Sequence, residues 1–476
     1  MKLRGLVFLA MVFLFVRASG AAEKRPNVVF VLADQWRAAA TGYAGDPNVK
    51  TPNLDRLERS CVNFQFAVSS MPVCTPCRAS LLTGQRATTH GLFLNDAKLA
   101  DDATTLAKVL AGAGYDTGMI GKWHLSGGGR YAFIPREQRQ GFDYWKVMEC
   151  AHDYNHSPYY ADTPEKLFWD GYDAIAQTED ASRYIADHGK NGKPFLLCLW
   201  WGPPHNPYET APKPFKAMYD PAKLVLRANV PKAVEAQARK DLAGYYAHCS
   251  ALDSCVGVLI QALKDAGVDE NTIVIFSSDH GDMLWSNGFN RKQKPWDESA
   301  RVPMLWRVPG VSAKRVDAVM ASEDVMPTLL SLCGVGIPKS VEGLDYGPYM
   351  KGGGKNPNPG NAALLSCVSP FSEYNRLLGG KEYRGIRTER YTYVRDLKGP
   401  WLLYDNEKDP YQMTNLVGVA GAAELQTKLD ALLDEKLKAA GDEFKPADFY
   451  LEKWGYKDRV NKVGALPYDK MSDGGR

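Results

Sequence analysis

The chain has 476 residues, of which 45% are hydrophobic and 24% are charged, a balance that excludes global disorder. The net charge is +3 and both signs are mixed along the sequence, so the clustered basic face of a nucleic-acid-binding protein is not expected. This length accommodates one large domain with a smaller one, or two or three domains of average size.

The N-terminus, residues 1–22, has the pattern of a secretory signal peptide. Lys2 and Arg4 precede an apolar run and small residues follow it, which places the cleavage site after Gly20 or Ala22. A membrane anchor would need a longer apolar span, and no other run in the sequence is long enough to cross a bilayer. We therefore expect a periplasmic or secreted protein with no membrane contact after signal cleavage.

Three apolar runs predict buried parallel strands, because continuous Val, Ile and Phe without alternation are typical of strands covered on both faces. In chain order these runs cover residues 27–33, 194–200 and 272–278, and helical patterns cover residues 104–113 and 237–266. Strands and helices that alternate over roughly 300 residues predict an α/β fold with a doubly wound sheet.

Acidic residues follow two of these strands. Asp34 ends the first, and the pair Asp279-His280 follows the third. Ligands of such sheets bind outside the carboxyl ends of the strands. A single Asp in that position is usually a turn residue or a helix cap, but two acidic strand ends, one followed by His, indicate a shared site for a hard metal ion.

The most distinctive segment covers residues 71–84, Met-Pro-Val-Cys-Thr-Pro-Cys-Arg-Ala-Ser-Leu-Leu-Thr-Gly. Pro76 suits the first turn of a helix, which would place Cys74 at the helix N-terminus, where amide groups and the helix dipole favour anions. Arg78, one turn further along, can reach the same point with charge-assisted hydrogen bonds. Cys74 and Cys77 could instead form a redox pair or half of a zinc site, although no second such pair accompanies them.

The sequence changes character after about residue 355. A connector rich in Gly, Pro and Asn over residues 352–360 is followed by short strand-like and helical pieces. The strand-like pieces cover residues 383–388, 391–395 and 401–404, and the helical pattern covers residues 422–439. We therefore expect a large domain over residues 23–355 and a small α+β subdomain with a tail over residues 356–476.

The segment around Cys74 resembles the type I, formylglycine-dependent sulfatase family. Cys-x-Pro-x-Arg followed by Ser-Leu-Leu-Thr-Gly is the family signature, in which a maturation enzyme oxidises the Cys to formylglycine. The resemblance extends from Asn27 to residues 403–410. It implies an alkaline-phosphatase-like sandwich around a large mixed, mostly parallel sheet, with a small C-terminal α+β subdomain.

The resemblance also implies one Ca²⁺ ion, held by Asp34, Gln35, Cys74, Asp279 and His280. Asp34 matches the family's first metal-binding Asp, and Asp279-His280 matches its second pair. Gln35 stands where many members have another Asp. An amide oxygen can ligate Ca²⁺, but the site loses one formal negative charge.

Further segments match those that surround the sulfate in the family. They are Gly-Lys-Trp-His at residues 121–124, Pro-Pro-His-Asn-Pro at 203–207 and Lys-Gln-Lys-Pro-Trp-Asp-Glu-Ser at 292–299. The match assigns sulfate binding to Lys122 and Lys292, with Lys294 as a weaker candidate for the second role. His205 would protonate the leaving oxygen, and His124 would help to break down the sulfated hemiacetal. Asn287 replaces a His that is common in the family.

The implied reaction is hydrolysis of a sulfate monoester. Hydrated formylglycine is a geminal diol, one hydroxyl of which attacks sulfur beside Ca²⁺ while the other later expels sulfate. Arg78 belongs to the same catalytic set through the signature. The implied partners are a sulfated carbohydrate and a formylglycine-generating maturation enzyme.

The rim of the site is less defined by the sequence. We expect it to be built by loops at residues 94–98 and 145–170. The aromatic residues between 144 and 169 could stack on sugar rings or form an ordinary packed insertion. Gly127–Gly129 is interpreted as a flexible loop. The remaining histidines are left unassigned, namely His90, His152, His156, His188 and His248.

Two other functions compete with a sulfatase. A phosphodiesterase or phosphonate monoester hydrolase shares the fold and can share formylglycine. A glycan-binding protein without activity is disfavoured, because the nucleophile, Arg78 and both candidate sulfate-binding lysines are present. The sequence does not identify the sugar or the hydroxyl that carries the sulfate.

Overall fold

The computed structural model describes residues 24–468. The expected signal peptide therefore lies outside the described residues. The strands are β1 (Asn27–Asp34), β2 (Val62–Val68), β3 (Asp116–Lys122), β4 (Tyr144–Met148), β5 (Pro158–Tyr159), β6 (Leu167–Phe168), β7 (Phe195–Pro204), β8 (Thr272–Ser278), β9 (Met304–Arg307), β10 (Lys314–Ala321), β11 (Ala362–Cys367), β12 (Tyr383–Thr388), β13 (Tyr391–Asp396) and β14 (Gly399–Asp405). The helices are α1 (Pro52–Glu58), α2 (Cys74–Thr83), α3 (Ala87–His90), α4 (Leu106–Gly112), α5 (Asp173–Gly189), α6 (Lys213–Lys216), α7 (Glu235–Asp265), α8 (Asp297–Ala300), α9 (Val325–Leu332), α10 (Gly347–Met350), α11 (Ala423–Ala439) and α12 (Ala447–Lys453).

Eight strands form the main sheet in the order β10-β2-β9-β8-β1-β7-β3-β4. Only β9 runs antiparallel to its neighbours, β2 and β8, and the other adjacent pairs in this sheet are parallel. The predicted mixed, mostly parallel α/β sheet is thus confirmed. The three predicted strands correspond to β1, β7 and β8, and the two predicted helices correspond to α4 and α7.

The centre of this sheet is buried on both faces. Every residue of β1 is buried, with Val28, Phe30 and Leu32 in one apolar cluster and Val29 and Val31 in the other. Successive side chains of a strand point to opposite faces, so both faces must be apolar where both are covered. The first cluster includes residues of α2, α4 and α9, and the second includes residues of α1, α5 and α7.

A second, antiparallel sheet follows in the order β11-β12-β13-β14, with α11 packed on it. The strands β12, β13 and β14 and the helix α11 correspond to predicted elements, whereas β11 was not predicted. After α11 the chain returns to the large sheet, because Tyr450 and Leu451 of α12 and the later Leu466 are buried in the first apolar cluster. The boundary near residue 355 remains a prediction.

Two general features concern the environment of the chain. All nine cysteines lie within the described residues, and each is buried and free. Among residues 24–468, no helix combines the length and the apolar character needed to cross a bilayer.

Candidate active site

Four neighbouring strands of the main sheet end at one place. In the spatial order β8, β1, β7 and β3, their carboxyl ends carry Asp279-His280, Asp34, His205 and Lys122. The carboxyl edge of a parallel sheet is where ligands bind in this type of fold. The segments that the sequence analysis selected therefore converge although they are far apart along the chain.

Helix α2 brings Cys74 to this edge. Cys74 is the first residue of the helix, and it is 1% exposed. The Cys74 Sγ atom lies 3.2 Å from Lys292 Nζ, 3.3 Å from His280 Nε2, 3.7 Å from Lys122 Nζ and 3.8 Å from Asp34 Oδ1. Burial and the Asp34 carboxylate favour the neutral thiol, yet the nearby cations, with Lys122 first, hold the pKa of Cys74 well below its usual value. The position is thus built to hold negative charge.

The two carboxylates of the site are held by Arg78, which is fully buried. Its Nε donates to Asp279 Oδ2 at 3.0 Å and one terminal nitrogen donates to Asp34 Oδ2 at 3.1 Å. The other terminal nitrogen donates to the backbone oxygen of Lys122 at 2.8 Å. The sequence analysis expected Arg78 to contact anionic oxygens at the Cys74 position. In the structure these anionic oxygens belong to the two carboxylates, and each of the three side-chain nitrogens of Arg78 has a protein partner.

The residues present fit a hard divalent cation. One ligand atom from each of four side chains, Asp34, Cys74, Asp279 and His280, lies within 4.8 Å of the others. His280 Nδ1 lies 2.9 Å from the backbone oxygen of Gly281, which it can reach only as a donor. In the neutral ring Nε2 therefore carries the lone pair that a metal ligand needs. Carboxylate oxygens are the ligands that Ca²⁺ prefers, whereas a thiolate is a soft ligand that suits it poorly. The set therefore fits Ca²⁺ better once oxygen replaces sulfur at position 74.

Gln35 completes the set from the next position along the chain. Its side-chain nitrogen donates to Asp282 Oδ2 at 2.7 Å, which leaves the amide oxygen facing Lys292 Nζ at 3.4 Å. The backbone nitrogen of Gln35 donates to Asp279 Oδ1 at 3.1 Å. The amide oxygen is thus turned toward the Cys74 side of the site, as a ligand would be. Asp282, which fixes this orientation, was missed by the sequence analysis.

Lys292 and His205 form a contact pair beside Cys74. Lys292 Nζ lies 2.8 Å from His205 Nε2, and His205 Nδ1 lies 2.8 Å from the backbone oxygen of Asn206. Burial, followed by the Lys292 charge, holds the pKa of His205 well below its usual value. In the substrate-free protein His205 is therefore neutral and accepts from Lys292. A bound sulfate would add negative charge beside the pair and favour the protonated ring that a proton donor needs.

His124 lies next to this pair and has its own carboxylate. Its Nε2 lies 3.2 Å from Asp96 Oδ1, and two Arg130 nitrogens donate to the Asp96 carboxylate at 2.9 Å each. Burial opposes a charge on the ring, but Cys150 and Asp96 raise the pKa of His124 well above its usual value. Asp96 lies in the loop that the sequence analysis placed at the rim. Cys150 lies in the other expected rim loop, residues 145–170, whereas Arg130 was missed because no local motif marks it.

The structure also separates the lower-ranked candidates. Lys294 is buried but points elsewhere, since its Nζ donates to the backbone oxygen of Lys292 at 2.9 Å and faces the ring of Tyr374 at 4.9 Å. Cys77 Sγ lies 3.3 Å from Ser322 Oγ and is not part of the ligand cluster, and burial raises the pKa of its thiol to about 12. These placements support Lys292 over Lys294 and argue against a redox pair or a zinc site.

The site opens into a cavity of about 300 Å³. Its lining residues are Cys74, Asn95, Lys122, His124, Arg130, Cys150, His152, His205, Asn206, Arg291, Lys292, Ser372 and Glu373. Residues of both expected rim loops are present, and so are residues 372–373, which the sequence analysis did not place at the site. Of the unassigned histidines, His152 lies here, with its ring stacked on His205 at 4.4 Å.

The aromatic segment between residues 144 and 169 does not form a sugar platform in this cavity. Its six Tyr and Trp side chains are buried or half-buried, and none of these described residues lines the cavity. Tyr154 is fully buried, and Tyr159 stacks on Trp169 at 4.1 Å. The arrangement supports the packed-insertion interpretation.

Comparison with known families decides the assignment. The sulfatase family model matches residues 26–335, and the model of the C-terminal part of N-sulphoglucosamine sulphohydrolase matches residues 286–439. The chain belongs to the sulfatase family. The matched region of the first model includes the signature around Cys74 and all four strand ends of the site.

Relatives of this sulfatase cover most of its length. An ulvan-active sulfatase from Formosa agariphila is 46% identical over 459 residues, which cover 94% of this chain and 88% of the relative. An endo-4-O-sulfatase from Bacteroides thetaiotaomicron is 31% identical over 83% of this chain and 88% of the relative. A B. thetaiotaomicron structure solved in work on glycosaminoglycan metabolism matches with a TM-score of 0.79 at 28% identity, over 93% of this chain and 100% of that one. The protein is thus an enzyme of the sulfatase class with the alkaline-phosphatase-like fold.

Proposed function

We propose that this protein is an exported, calcium-dependent sulfatase that hydrolyses sulfate esters on glycans, with formylglycine made from Cys74 as the nucleophile. The observation that carries the proposal is the position of Cys74, where two lysine ammonium groups lie 3.2 Å and 3.7 Å from its sulfur beside a cluster of metal ligands. The glycan substrate is supported by the relatives described as an ulvan-active sulfatase and an endo-4-O-sulfatase. Export to the periplasm or the medium is supported by the sequence pattern of residues 1–22.

The residues around Cys74 have distinct tasks in this proposal. Asp34, Gln35, Asp279 and His280 would hold Ca²⁺, which when bound supplies Lewis acidity next to position 74. Lys122 and Lys292 place their ammonium groups 3.7 Å and 3.2 Å from the Cys74 sulfur, and they would neutralise the charge of a sulfate group placed there. Arg78 keeps both ligand carboxylates in place before substrate arrives.

His205 and His124 handle protons on the open side of the site. His205 accepts from Lys292 in the free protein, and it protonates the leaving sugar oxygen once a sulfate raises its pKa. His124, held by Asp96, would transfer the proton that is needed to regenerate the nucleophile. The two rings face the same cavity from the ends of adjacent strands, β7 and β3.

The test is to produce the full chain together with a formylglycine-generating enzyme and to analyse the peptide that contains Cys74 by mass spectrometry. We expect the aldehyde in place of the thiol, and sulfate release from a sulfated glycan that stops with a chelator and returns with Ca²⁺. Cys77→Ser is the matched control, since Cys77 is equally buried three residues away and faces Ser322. An active enzyme that retains the Cys74 thiol would overturn the mechanism, and activity on phosphate diesters alone would overturn the substrate class.

A further inference from the structure

Arg291 is a cation on the cavity wall that has no charged partner. It is half-buried and directly precedes Lys292. Among residues 24–468, no carboxylate lies within salt-bridge distance of its guanidinium, and its one side-chain hydrogen bond is a long contact of 3.5 Å to the hydroxyl of Tyr208. A guanidinium offers five donors, so most of the donors of Arg291 remain available.

The other cations of the cavity are already committed. Arg130 donates twice to Asp96, and Lys122 lies 2.5 Å from Asp34 Oδ2. Lys292 faces Cys74 and His205, where the sulfate under attack would lie. Among the described Lys and Arg residues that line the cavity, Arg291 is therefore the one that is free to bind a part of the ligand other than the sulfate under attack.

The position of Arg291 is fixed by the protein. Its backbone nitrogen donates to Asp282 Oδ1 at 2.8 Å, and its backbone oxygen accepts from the nitrogen of Met283 at 3.0 Å. Its φ of 63° is in the left-handed region, which residues with a β-carbon seldom adopt. The guanidinium lies over the ring of Tyr208 at 5.6 Å, and Tyr208 is itself bonded to Asp282. Hydrogen bonds of its backbone and the ring of Tyr208 thus hold the guanidinium of Arg291 in place on the cavity wall.

We propose that Arg291 binds a second anionic group of the substrate, a carboxylate or a further sulfate close to the ester that is cleaved. This inference rests on the proposed function, because it takes the ester itself to lie at Cys74. The planar guanidinium can donate two parallel hydrogen bonds to either group, and charge-assisted bonds of this kind are stronger than neutral ones. The preferred substrate is then a glycan segment with at least two negative charges, of which one is retained after hydrolysis.

The test measures binding in the Cys74→Ser background with Ca²⁺ present, so that no turnover is needed. Three short oligosaccharides are titrated by calorimetry: one with a single sulfate on neutral sugars, one with a uronic acid beside the sulfated sugar, and one with a second sulfate. We expect Arg291→Gln to weaken the binding of a doubly charged ligand by about 10- to 100-fold, the range of a charged hydrogen bond. The singly charged ligand should be affected much less, and Arg291→Lys should retain part of the preference.

Arg239→Gln is the matched control for the change in net charge. Arg239 is also half-buried and lacks a salt bridge in the described chain, but it lies on α7 and does not line the cavity. Loss for the uronate ligand alone identifies a carboxylate site, and loss for the doubly sulfated ligand alone identifies a sulfate site. Equal effects of Arg291→Gln on all three ligands, or failure of all three to bind, would overturn the inference. If the matured enzyme releases no sulfate from any of them, the proposed function fails, while the affinities still decide the role of Arg291.

Discussion

Charged side chains form salt bridges on the floor of the cavity, next to Cys74, whereas two charged side chains on its rim, nearer to solvent, form none in the described part of the chain. On the floor, Asp34, Arg78, Asp279 and Lys122 are at most 4% exposed, and every one of them forms a salt bridge with another member of the set. On the rim, Arg291 and Glu373 are half-buried. Glu373, like Arg291, has no salt bridge among the residues that the structure describes.

This difference separates catalysis from recognition. Buried charges that are already paired need no reorganisation when the substrate enters, which is what electrostatic stabilisation of a transition state requires. Charges left unpaired near solvent are available to the substrate, and each of them favours one kind of ligand over another. We therefore expect the floor to carry the reaction and the rim to select the substrate.

The largest effect should come from replacing Lys122 on the floor of the cavity. Lys122→Met removes an ammonium group 2.5 Å from Asp34 Oδ2 and 3.7 Å from Cys74 Sγ. We expect kcat/KM to fall by about 10³-fold on every sulfate ester. Because the change also disrupts a buried ion pair, the free energy of unfolding should fall by about 3 kcal/mol. Steady-state kinetics and urea denaturation measure the two effects.

Lys294→Met is the control for Lys122→Met. Lys294 is 2% exposed, against 4% for Lys122, but it points toward Tyr374. This variant should retain its activity. Equal losses in the two variants would mean that burial of a lysine, and not its place on the floor, explains the result.

The next largest effect should come from His205, which lies between the floor and the open cavity. Its size should depend on the leaving group of the substrate. His205→Gln removes the proposed proton donor, and kcat/KM on a sugar sulfate should fall by about 10²-fold. On 4-nitrophenyl sulfate the loss should be much smaller, since nitrophenolate leaves without a proton. His156→Gln, an exposed histidine stacked on Phe168, is the control. Equal losses of His205→Gln on both esters would exclude the proton-donor role.

A smaller effect is expected at Gln293, which joins two segments of the rim. Its carboxamide donates to the backbone oxygen of Phe371 at 3.0 Å and accepts from the nitrogen of Phe371 at 3.3 Å. Its backbone nitrogen donates to Pro72, two residues before Cys74. Gln293→Ala leaves the buried backbone nitrogen of Phe371 unpaired, while the Phe371 oxygen keeps its bond from the nitrogen of Tyr374. The free energy of unfolding should therefore fall by about 1–3 kcal/mol.

The kinetic effect of Gln293→Ala should appear mainly in KM, because Arg291 and Glu373 lie next to the lost contact while the floor is intact. Gln293→Glu buries a carboxylate against the Phe371 oxygen, and it should lower the free energy of unfolding further than Gln293→Ala. A loss confined to kcat would show that the contact between Gln293 and Phe371 supports the floor. That result would contradict the assignment of catalysis to the floor and recognition to the rim.

The smallest effect concerns Cys150, a thiol of the cavity wall. Burial favours its neutral form, but His124, Lys122 and His152 hold its pKa well below the usual value. A lowered pKa keeps the thiolate populated as the pH falls, so alkylation of Cys150 by iodoacetamide should change little between pH 8 and pH 6. An ordinary thiol loses about tenfold in rate per pH unit there. Peptide mass spectrometry measures the labelling, with Cys77 as the unreactive comparison because burial raises its pKa to about 12.

The floor could be predicted from the sequence because its residues lie in local motifs. Cys74 belongs to a helix start with a recognisable signature, and Asp34 and Asp279 each end an apolar strand. The role of Arg78 was not predictable, since only the folded sheet brings both carboxylates to its guanidinium. The roles proposed for the site residues stay predictions until the variants are measured.

Part of the rim escaped sequence analysis for a physical reason. Arg130, Arg291 and Glu373 come from separate loops, and each of them alone resembles a solvated charge. Glu373 lies between β11 and β12, and that segment is joined to Gln293 through Phe371, a contact that no local periodicity encodes. The strand β11 was missed as well, and its short sequence lacks the β-branched residues that mark β1 and β8.

The return of the C-terminal chain to the large sheet sets an order of events during folding. Tyr450, Leu451 and Leu466 belong to the apolar cluster on the face that also holds α2, so this face is complete only after residues 447–466 have docked on it. Cys74 is 1% exposed once the fold is complete. We therefore expect an enzyme that converts Cys74 to reach it before residues 447–466 dock, while this face is still open.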